Sequence, residues 1–411
     1  MMGQMLELPR LSIKERDRRW QMIRDAMKTE KLDCLVIWGS NGVQDNQVAN
    51  VRYVTGIGGG GEQAFVVFPL DSEPTCYVWG VTKLGWWPKA QNWITDIQAR
   101  NPTFAASVVK RVKELGFEKR TIGIVGLAGL RDRDGTMLYE VYSQILRGLP
   151  DANLVNATPL IETIRLIKSD EEIQMLERAS GIGDLVCELL ARTAKPGVKE
   201  CEVFGKMLEC MVSNGGEVPV MILWGAGPEP LPHPFNFPTT RVLQKGDIIN
   251  LEFHTKYNGY LAHQERTVSL GQPRREYRHL YDVSLDIFRK TAEKLKPGLK
   301  IGELPDIIRE PIFKAGLGYI EAGIHGHGLE SGEYPMFVYP PAKAPVDLVA
   351  PQVTVGEGKL EAGMVVALNL DLIDPNWKGG NTGTMLSDTF LITEAGSRRL
   401  GKYPLDIIVS A

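Results

Sequence analysis

The stretch from Asp247 to Leu270 constrains the fold of this chain more than any other segment. Apolar residues run up to Leu251, the dipeptide Asn258-Gly259 follows, and a second strand-like run continues to Leu270. Asn-Gly between two such runs is the strongest short hairpin signal, because both residues readily adopt a positive φ. The segment therefore predicts two antiparallel strands joined by a tight turn.

Four ionisable side chains lie on this predicted hairpin. Side chains two residues apart in a strand point to the same face, so Glu252 accompanies His254, and His263 accompanies Glu265. Groups of this kind bind a metal ion or transfer a proton when they share a pocket. A salt-bridged sheet edge is the alternative interpretation of the same pattern.

Length and charge limit the classes of protein to consider. A chain of 411 residues is too long for one small domain, and 47 basic against 50 acidic residues give a net charge of −3. This balance argues against binding of nucleic acid or of a membrane. Five cysteines without a CxxC pair indicate reduced thiols, and the charged N-terminal segment lacks the apolar core of a signal peptide. We therefore expect a soluble, cytoplasmic protein.

The N-terminal part alternates a helix with short strands. Ser12 and Glu15 predict a capped helix over about residues 13–30. The strands that follow predict an α/β layer: Cys34–Trp38, Ala64–Phe68, Cys76–Trp79 and Thr121–Val125. Gly58–Gly61 lacks the residues that follow a phosphate-binding loop and is interpreted as a plain loop.

The second part of the chain carries a repeat. Ala157–Lys168 is interpreted as a connector, so we place the boundary there and expect domains at 1–165 and 166–411. Helices predicted after Ser169 and over about 276–295 end at the same tripeptide, Lys195-Pro196-Gly197 and Lys296-Pro297-Gly298. The recurrence predicts two similar halves with a site between them.

Histidines concentrate in this second domain. His325-Gly326-His327-Gly328 is a compact stretch whose glycines allow close backbone approach to a bound group. Leu360–Asn369 and Thr384–Ile392 predict two further strands that carry polar residues to the same place. Only His279 lies in a charged helical run, and the other five histidines lie near turn or strand signals: His233, His254, His263, His325 and His327.

The order of these motifs resembles the pita-bread fold family, which includes methionine aminopeptidase, Xaa-Pro aminopeptidase, prolidase and creatinase. Leu35–Asn41 and Val51–Gly56 resemble the creatinase-type N-terminal domain, and Ile164–Ile173 resembles the family's domain junction. The resemblance implies an α/β N-terminal domain of the creatinase type and an α+β pita-bread C-terminal domain with a pseudo-twofold duplication. It also implies a homodimer.

The resemblance assigns positions to the family's metal ligands, which are two Asp, one His and two Glu. His325 is the only aligned position that carries the same residue type as the family's ligand. The five aligned positions are Glu252, His263, His325, Asn369 and Ser387. An amide and a hydroxyl in place of two glutamates leave too few strong oxygen ligands for two divalent ions. The resemblance therefore implies loss of the two-metal peptidase mechanism, and we expect no cofactor.

The metal-free creatinase branch of the family is the nearest in site character. Leu231-Pro232-His233-Pro234 resembles the loop that carries its essential histidine, and the flanking prolines predict a stiff extended backbone. Glu265-Arg266-Thr267 matches its return strand. We therefore hypothesise a metal-independent hydrolase of a small polar compound with an amide or amidine C–N bond.

Each candidate residue takes a role in this hypothesis. His233 carries the proton, and Glu265 binds a substrate nitrogen or acts as carboxylate partner or nucleophile. His325 and Glu252 complete the electrostatic frame. The remaining candidates are expected to bind substrate: His263, His254, His327, Asn369, Ser387 and Asp388.

Three alternatives remain open from the sequence. A mononuclear hydrolase or Xaa-Pro peptidase-like enzyme would hold one Zn, Fe or Mn ion with Glu252, His263 and His325. A lyase would use the same pocket for proton abstraction. A non-catalytic pseudo-peptidase would bind a partner there.

Overall fold

The computed structural model describes residues 9–42, 46–130, 134–219, 222–234, 236–338, 358–377 and 382–410. The chain forms two compact units, Met1–Arg165 and Leu166–Ala411. The first unit is an α/β domain and the second an α+β domain, which confirms the predicted fold class.

Six strands form the sheet of the first unit: β1 (Cys34–Gly39), β2 (Ala64–Pro69), β3 (Thr75–Val78), β4 (Asp96–Ala99), β5 (Thr121–Val125) and β6 (Asn153–Asn156). Their order is β4-β3-β2-β1-β5-β6. The four predicted strands are all present. Strand β1 is buried along its whole length, as a continuous apolar run in a central strand predicts.

Helices of the first unit connect these strands: α1 (Ile13–Thr29), α2 (Ala49–Thr55), α3 (Trp87–Ala90), α4 (Phe104–Glu114), α5 (Tyr139–Gly148) and α6 (Thr158–Arg165). Helix α1 begins as predicted, because the Ser12 hydroxyl accepts the Glu15 N–H at 3.1 Å. Helix α6 lies within the segment 157–168 that was interpreted as a connector. Pro159 lies in its first turn, where no backbone N–H is needed, and Ile161 is fully buried.

The second unit contains a nine-stranded sheet: β7 (Ile222–Gly227), β8 (Ile248–Tyr257), β9 (Tyr260–Leu270), β10 (Gly318–His327), β11 (Ser331–Val338), β12 (Val365–Ile373), β13 (Gly383–Thr393), β14 (Gly396–Arg399) and β15 (Ile408–Ser410). The main order is β11-β10-β12-β13-β9-β8-β7, with β14 paired to β13 and β15 paired to β9. Pairing of Ser387 with Glu265 joins the two halves of the sheet.

Four helices of the second unit pack against this sheet: α7 (Asp170–Thr193), α8 (Glu200–Ser213), α9 (Arg275–Ala292) and α10 (Leu304–Lys314). Helix α7 starts at the predicted capping box, in which Ser169 and Glu172 each accept the other's backbone N–H. Each half has its own apolar core. One core contains Val186 and Leu251, and the other contains Phe288 and Leu368.

The two halves repeat the same backbone contacts, which confirms the predicted duplication. The glycines that donate these bonds all have positive φ, a conformation without steric cost for glycine. In the first equivalent pair, Gly197 N–H donates to Leu243 O at 2.9 Å and Gly298 N–H donates to Leu360 O at 2.8 Å. In the second pair, Gly246 N–H donates to Leu270 O and Gly363 N–H donates to Ile392 O, both at 2.9 Å.

The start of β12 differs from the prediction. The sequence predicted a strand from Leu360, but β12 begins at Val365. Gly363 has a φ of 91° and the Met364 N–H donates to Glu361 O at 3.1 Å, so these residues form a turn that precedes the strand.

Candidate active site

Strands β8 and β9 form the predicted hairpin. Asn258 and Gly259 have φ values of 47° and 84°, as the expected tight turn requires. Strand β9 lies between β13 and β8, so the hairpin is not a salt-bridged sheet edge. The register places the four candidate side chains opposite one another, Glu252 with Glu265 and His254 with His263, and all four are buried.

Short contacts join these side chains. His254 Nε2 lies 2.9 Å from Glu252 Oε1. His263 Nε2 lies 3.4 Å from the same oxygen and 3.5 Å from Glu265 Oε1. The hairpin therefore supplies two imidazoles and two carboxyls to one pocket.

His325 and His327 lie at the end of strand β10. The pairing of β10 with β11 shifts on both sides of Gly326, and a Cβ there would lie 2.5 Å from Tyr334 O. This bulge therefore requires glycine. It directs both imidazole rings toward the hairpin, with centroids 5.1 Å and 5.6 Å from that of His263.

Asn369 of β12 lies opposite Ser387 of β13. The Ser387 hydroxyl donates to Asn369 Oδ1 at 2.8 Å, and Asn369 Nδ2 donates to Glu321 Oε1 at 2.9 Å. Asn369 Nδ2 also lies 3.4 Å from His325 Nε2. The two positions that the family resemblance gives to metal-binding glutamates thus form a neutral hydrogen-bonded pair.

His233 enters the pocket from the loop between β7 and β8. Its φ of 53° corrects the predicted extended backbone. A non-glycine residue in this region costs about 1–3 kcal/mol, and such residues concentrate at functional sites. The side chain is 9% exposed, with Nδ1 2.6 Å from Asp371 Oδ2 and Nε2 3.5 Å from Glu321 Oε2.

Sequence reasoning missed both of these carboxylates. Asp371 lies two residues after Asn369 in β12, and Glu321 lies four residues before His325 in β10. The two-residue period of a strand would have placed both on the site face. Neither occupies a position at which the family carries a ligand, so the resemblance does not single them out.

The pair of His233 and Asp371 sets the protonation of the site. Burial opposes a charge on His233, but the hydrogen bond and the attraction of Asp371 raise its pKa to about 10. Burial raises the pKa of Glu321 to about 7, although the His233 charge partly offsets this effect. At neutral pH, His233 is therefore an acid, and Glu321 can accept a proton.

Glu265 and His263 are driven toward their neutral forms. Burial, and then the charge of Asp371, raise the pKa of Glu265 well above its ordinary 4.5. Within the described residues, neither Glu265 oxygen has a hydrogen-bond partner, although His263 Nε2 lies 3.5 Å from Oε1. A neutral acid is a poor nucleophile, which argues against the nucleophilic role predicted for Glu265. Burial, and then the nearby charge of His254, lower the pKa of His263 well below 6.5.

Asp388 does not join the pocket, which corrects its predicted role in substrate binding. Its Oδ2 accepts from Arg266 at 2.8 Å and from Arg399 at 2.9 Å. Neighbouring side chains in a strand point to opposite faces, so Asp388 faces away from Ser387. Asp388 forms a buried structural ion pair instead.

Among the residues that the structure describes, three groups of side chains lie close enough to hold a metal ion, each with its ligand atoms within 4.8 Å of one another. They are His263 with His325 and His327, Glu252 with His254 and His263, and His233 with Glu265 and Asp371. The first group offers only imidazole nitrogens, and the other two combine nitrogen with carboxylate oxygen.

The predicted metal set of Glu252, His263 and His325 is not one of these groups within the described residues. His263 faces Glu252 through Nε2 and His325 through Nδ1, so the two partners lie at different edges of its ring. A single ion therefore cannot bind His263 together with both Glu252 and His325. The family's two-ion site does not fit either, because Asn369 and Ser387 contribute no negative charge.

Comparisons with known proteins agree with this fold. Residues 19–167 match the Creatinase/Prolidase N-terminal domain, and residues 174–394 match Metallopeptidase family M24. The chain is 26% identical over 366 residues to the Xaa-Pro dipeptidase of Pyrococcus furiosus, covering 87% of this chain and 92% of the relative. It is also 26% identical over 320 residues to a creatinase from Bacillus sp., covering 74% and 72%.

The fold also matches a solved structure. Xaa-Pro dipeptidase from Bacillus anthracis superposes with a TM-score of 0.76 and 23% identity, over 96% of this chain and 99% of that chain. Across the described residues, no helix has both the length and the apolar character to cross a membrane. The match to family M24 covers more than half of the sequence. The chain therefore belongs to metallopeptidase family M24 and is a hydrolase of C–N bonds.

Proposed function

We propose that this enzyme hydrolyses the amide bond of a small dipeptide-like substrate, with His233 as proton donor. The contact of 2.6 Å between His233 Nδ1 and Asp371 Oδ2 carries this proposal. A carboxylate behind an imidazole fixes the orientation of the ring and stabilises its protonated form. The Nε2 edge of the ring then faces the pocket.

Glu321 is the base in this proposal. Its pKa of about 7 allows it to accept a proton from the attacking water near neutral pH. The hydroxyl of that water adds to the substrate carbonyl carbon, and His233 donates its proton to the departing nitrogen. Transfer of a proton from Glu321 to His233 across 3.5 Å then restores both groups.

The names of the relatives support a peptidase-like activity more than a creatinase-like one. Xaa-Pro dipeptidase is the name of both a curated relative and a solved structure, whereas creatinase is the name of one curated relative cited above. A single divalent ion, when bound, would polarise the substrate carbonyl. The pocket offers histidines for it in place of the family's carboxylates.

The second candidate is the metal-independent hydrolysis of an amide or amidine compound. The neutral pair of Asn369 and Ser387 favours it, because this pair removes two carboxylates from the family's metal site. His233, Asp371 and Glu321 would carry the same proton transfers in either case.

Turnover before and after removal of metal separates the two candidates. Xaa-Pro dipeptides, dipeptides without proline, and creatine would be incubated with chelated protein and with protein reloaded with zinc, manganese or iron. The peptidase proposal expects dipeptide turnover that chelation abolishes and metal restores. Amide or amidine turnover that survives chelation supports the second candidate. A folded protein that releases no amine from any of these substrates would contradict both.

A further inference from the structure

We infer that His263, His325 and His327 form a single all-imidazole metal site, in place of the carboxylate-rich pair of ions expected for the family. This inference deepens the peptidase-like candidate. It concerns binding of the ion, so it can be tested without a substrate.

The three imidazoles converge from two strands. His263 comes from β9, and His325 and His327 come from either side of the Gly326 bulge in β10. His263 Nδ1 lies 3.2 Å from His325 Nε2. Two nitrogens on one tetrahedral ion with bonds of about 2.0–2.1 Å lie about 3.3 Å apart, so this spacing suits shared coordination.

The rings are close to one another and shielded from solvent. The centroid of His327 lies 4.7 Å from that of His325 and 5.6 Å from that of His263. His263 and His327 are fully buried, and His325 is 7% exposed. Three buried imidazoles leave one position of a tetrahedral ion open for water or substrate.

Two carboxylates lie next to the second nitrogen of His263, although neither accepts a hydrogen bond from it in this structure. His263 Nε2, the nitrogen away from His325, faces Glu252 Oε1 at 3.4 Å and Glu265 Oε1 at 3.5 Å. Metal-bound histidines usually direct their second N–H to a carboxylate, which orients the ring and increases its basicity. His254 holds Glu252 in this place through a contact of 2.9 Å.

This arrangement distinguishes the inferred site from the second group that contains His263. In that group, Glu252 and His254 would be ligands themselves. However, His254 Nε2 is engaged with Glu252 Oε1, so Glu252 serves better as the support for His263 than as a ligand. Glu252 thus occupies a family ligand position without binding the ion.

The ligand chemistry predicts which ion binds. Imidazole suits zinc, cobalt, nickel, copper and iron, whereas manganese and magnesium favour carboxylate and water. The site should therefore prefer Zn²⁺ and Co²⁺ to Mn²⁺.

Cobalt binding by the full chain tests the inference. Protein stripped with a chelator would be titrated with Co²⁺, Zn²⁺ and Mn²⁺, and the visible absorption of tetrahedral Co²⁺ would be recorded. We expect one equivalent of Co²⁺ and weaker binding of Mn²⁺. His327→Gln should lose the tetrahedral spectrum and more than about 100-fold in affinity, a larger loss than changes outside the ligand shell cause.

Two matched variants complete the experiment. His254→Gln should keep the tetrahedral spectrum and lose about 10–100-fold in affinity, because it acts through Glu252. His279→Gln, in helix α9 and outside the pocket, should bind as the unchanged protein does. If His254→Gln abolishes binding while His327→Gln retains it, the ligands are instead Glu252, His254 and His263, and the inference is wrong.

Two further results would overturn the inference. One is the absence of tight Zn²⁺ or Co²⁺ binding by folded, unchanged protein, and the other is equal affinity for Mn²⁺. If His327→Gln fails to fold, X-ray absorption of the unchanged protein loaded with Co²⁺ counts the imidazole ligands of the ion. Three imidazole ligands support the inferred site, and two or fewer contradict it. If the protein binds no metal ion, metal-independent hydrolysis can still be correct. If the protein hydrolyses none of the substrates, the result of the metal titration still stands.

Discussion

His233 differs from an ordinary surface histidine in three respects. Its backbone is left-handed, its ring is mostly buried, and Asp371 holds it at 2.6 Å. The left-handed backbone and the burial cost free energy, and the contact with Asp371 fixes the orientation of the ring. In this orientation Nε2 points toward Glu321. This combination is the reason for assigning a proton-transfer role to a residue in a proline-flanked loop.

Replacing His233 with alanine should remove most of the turnover. A positioned acid contributes roughly 10²–10⁴-fold to the rate, so we expect kcat to fall by that factor while the protein stays folded. His233→Asn provides a further check, because asparagine tolerates the left-handed backbone but cannot donate the proton in the same way. Steady-state kinetics with thermal melts measure both effects.

The control for this substitution is His279→Ala, which alters an exposed residue of helix α9. It should leave kcat and the melting temperature unchanged. Near-normal turnover of His233→Ala, or loss of turnover only through unfolding, would contradict the assignment.

Substitution of Asp371 by asparagine should change the pH dependence of turnover. In the unchanged protein the acid form of His233 persists until the pH approaches its pKa of about 10. Without the carboxylate, burial still lowers the pKa of His233 and only the charges of Glu321 and Glu252 raise it, so the acid form should be lost at a lower pH than in the unchanged protein. The alkaline limb of kcat should therefore move to lower pH, and an unmoved limb would contradict the proposal.

The same pair links stability to pH. The folded pKa of His233 is raised above its unfolded value, so its stabilising contribution is complete below about pH 6.5. It is lost as the pH rises toward 10, the pKa of the folded state. Denaturant melts of the unchanged protein and of Asp371→Asn should therefore converge across this window.

At the scale of single elements, the β8–β9 hairpin sets the register of the site. Because side chains alternate between faces, a shift of one residue would move Glu252 and His254 away from their partners on β9. The turn at Asn258-Gly259 prevents such a shift through two consecutive positive φ values. The turn therefore controls the site chemistry, although it does not contact the reacting groups.

Gly259→Ala should destabilise the protein by about 1–2 kcal/mol, because a Cβ is costly at its φ of 84°. Gly227→Ala is the matched control. Gly227 ends strand β7, its φ is not in the left-handed region, and a Cβ there would meet no atom within 4 Å. Urea unfolding measures both variants, and equal stability would show that the turn tolerates alanine.

At the scale of the whole second unit, Lys168 connects segments that are far apart in sequence. Its Nζ lies 2.8 Å from Glu333 Oε2, and its backbone N–H donates to Gly363 O at 2.9 Å. Glu333 pairs with Gly326 at the bulge between His325 and His327, and Gly363 precedes β12. One buried lysine thus fixes two of the segments that carry the site.

Lys168→Met should destabilise the protein by about 3–5 kcal/mol, since it leaves a buried carboxylate without its cation. The side chains of Lys168 and Glu333 are only 2% and 6% exposed, so water cannot replace the lost partner. Lys290→Met removes the exposed pair with Asp286 and should cost at most about 0.5 kcal/mol. Denaturant melts compare the two.

The double variant Lys168→Met with Glu333→Gln shows whether the contact between Lys168 and Glu333 stabilises the protein through charge pairing or through packing. Removing both charges should recover part of the lost stability, because no unpaired charge remains. If the double variant is as unstable as the sum of the single variants, the contact contributes through packing alone.

The sequence by itself determined the elements that depend on residues close to one another along the chain. The Asn-Gly turn, the capping box at Ser169 and the two Lys-Pro-Gly stops are signals between near neighbours, and the structure contains all of them. The positions of His233, His325 and Asn369 on the site also followed from spacing and family resemblance. The turn, the capping box and the two stops share a physical basis, because they arise from backbone preferences within a few residues, whereas the site positions depended on the resemblance.

Only the tertiary structure decided which side chains meet and through which atoms. Asp371 and Glu321 reach His233 because β12 and β10 pair in a particular register, and no local pattern encodes that pairing. The orientation of His263 separates Glu252 from His325, and it depends on the rotamer that the surrounding strands allow. Distances of 3 Å between residues more than 40 positions apart are set by packing of the whole sheet, so the chemistry of the pocket could not be read from the sequence alone.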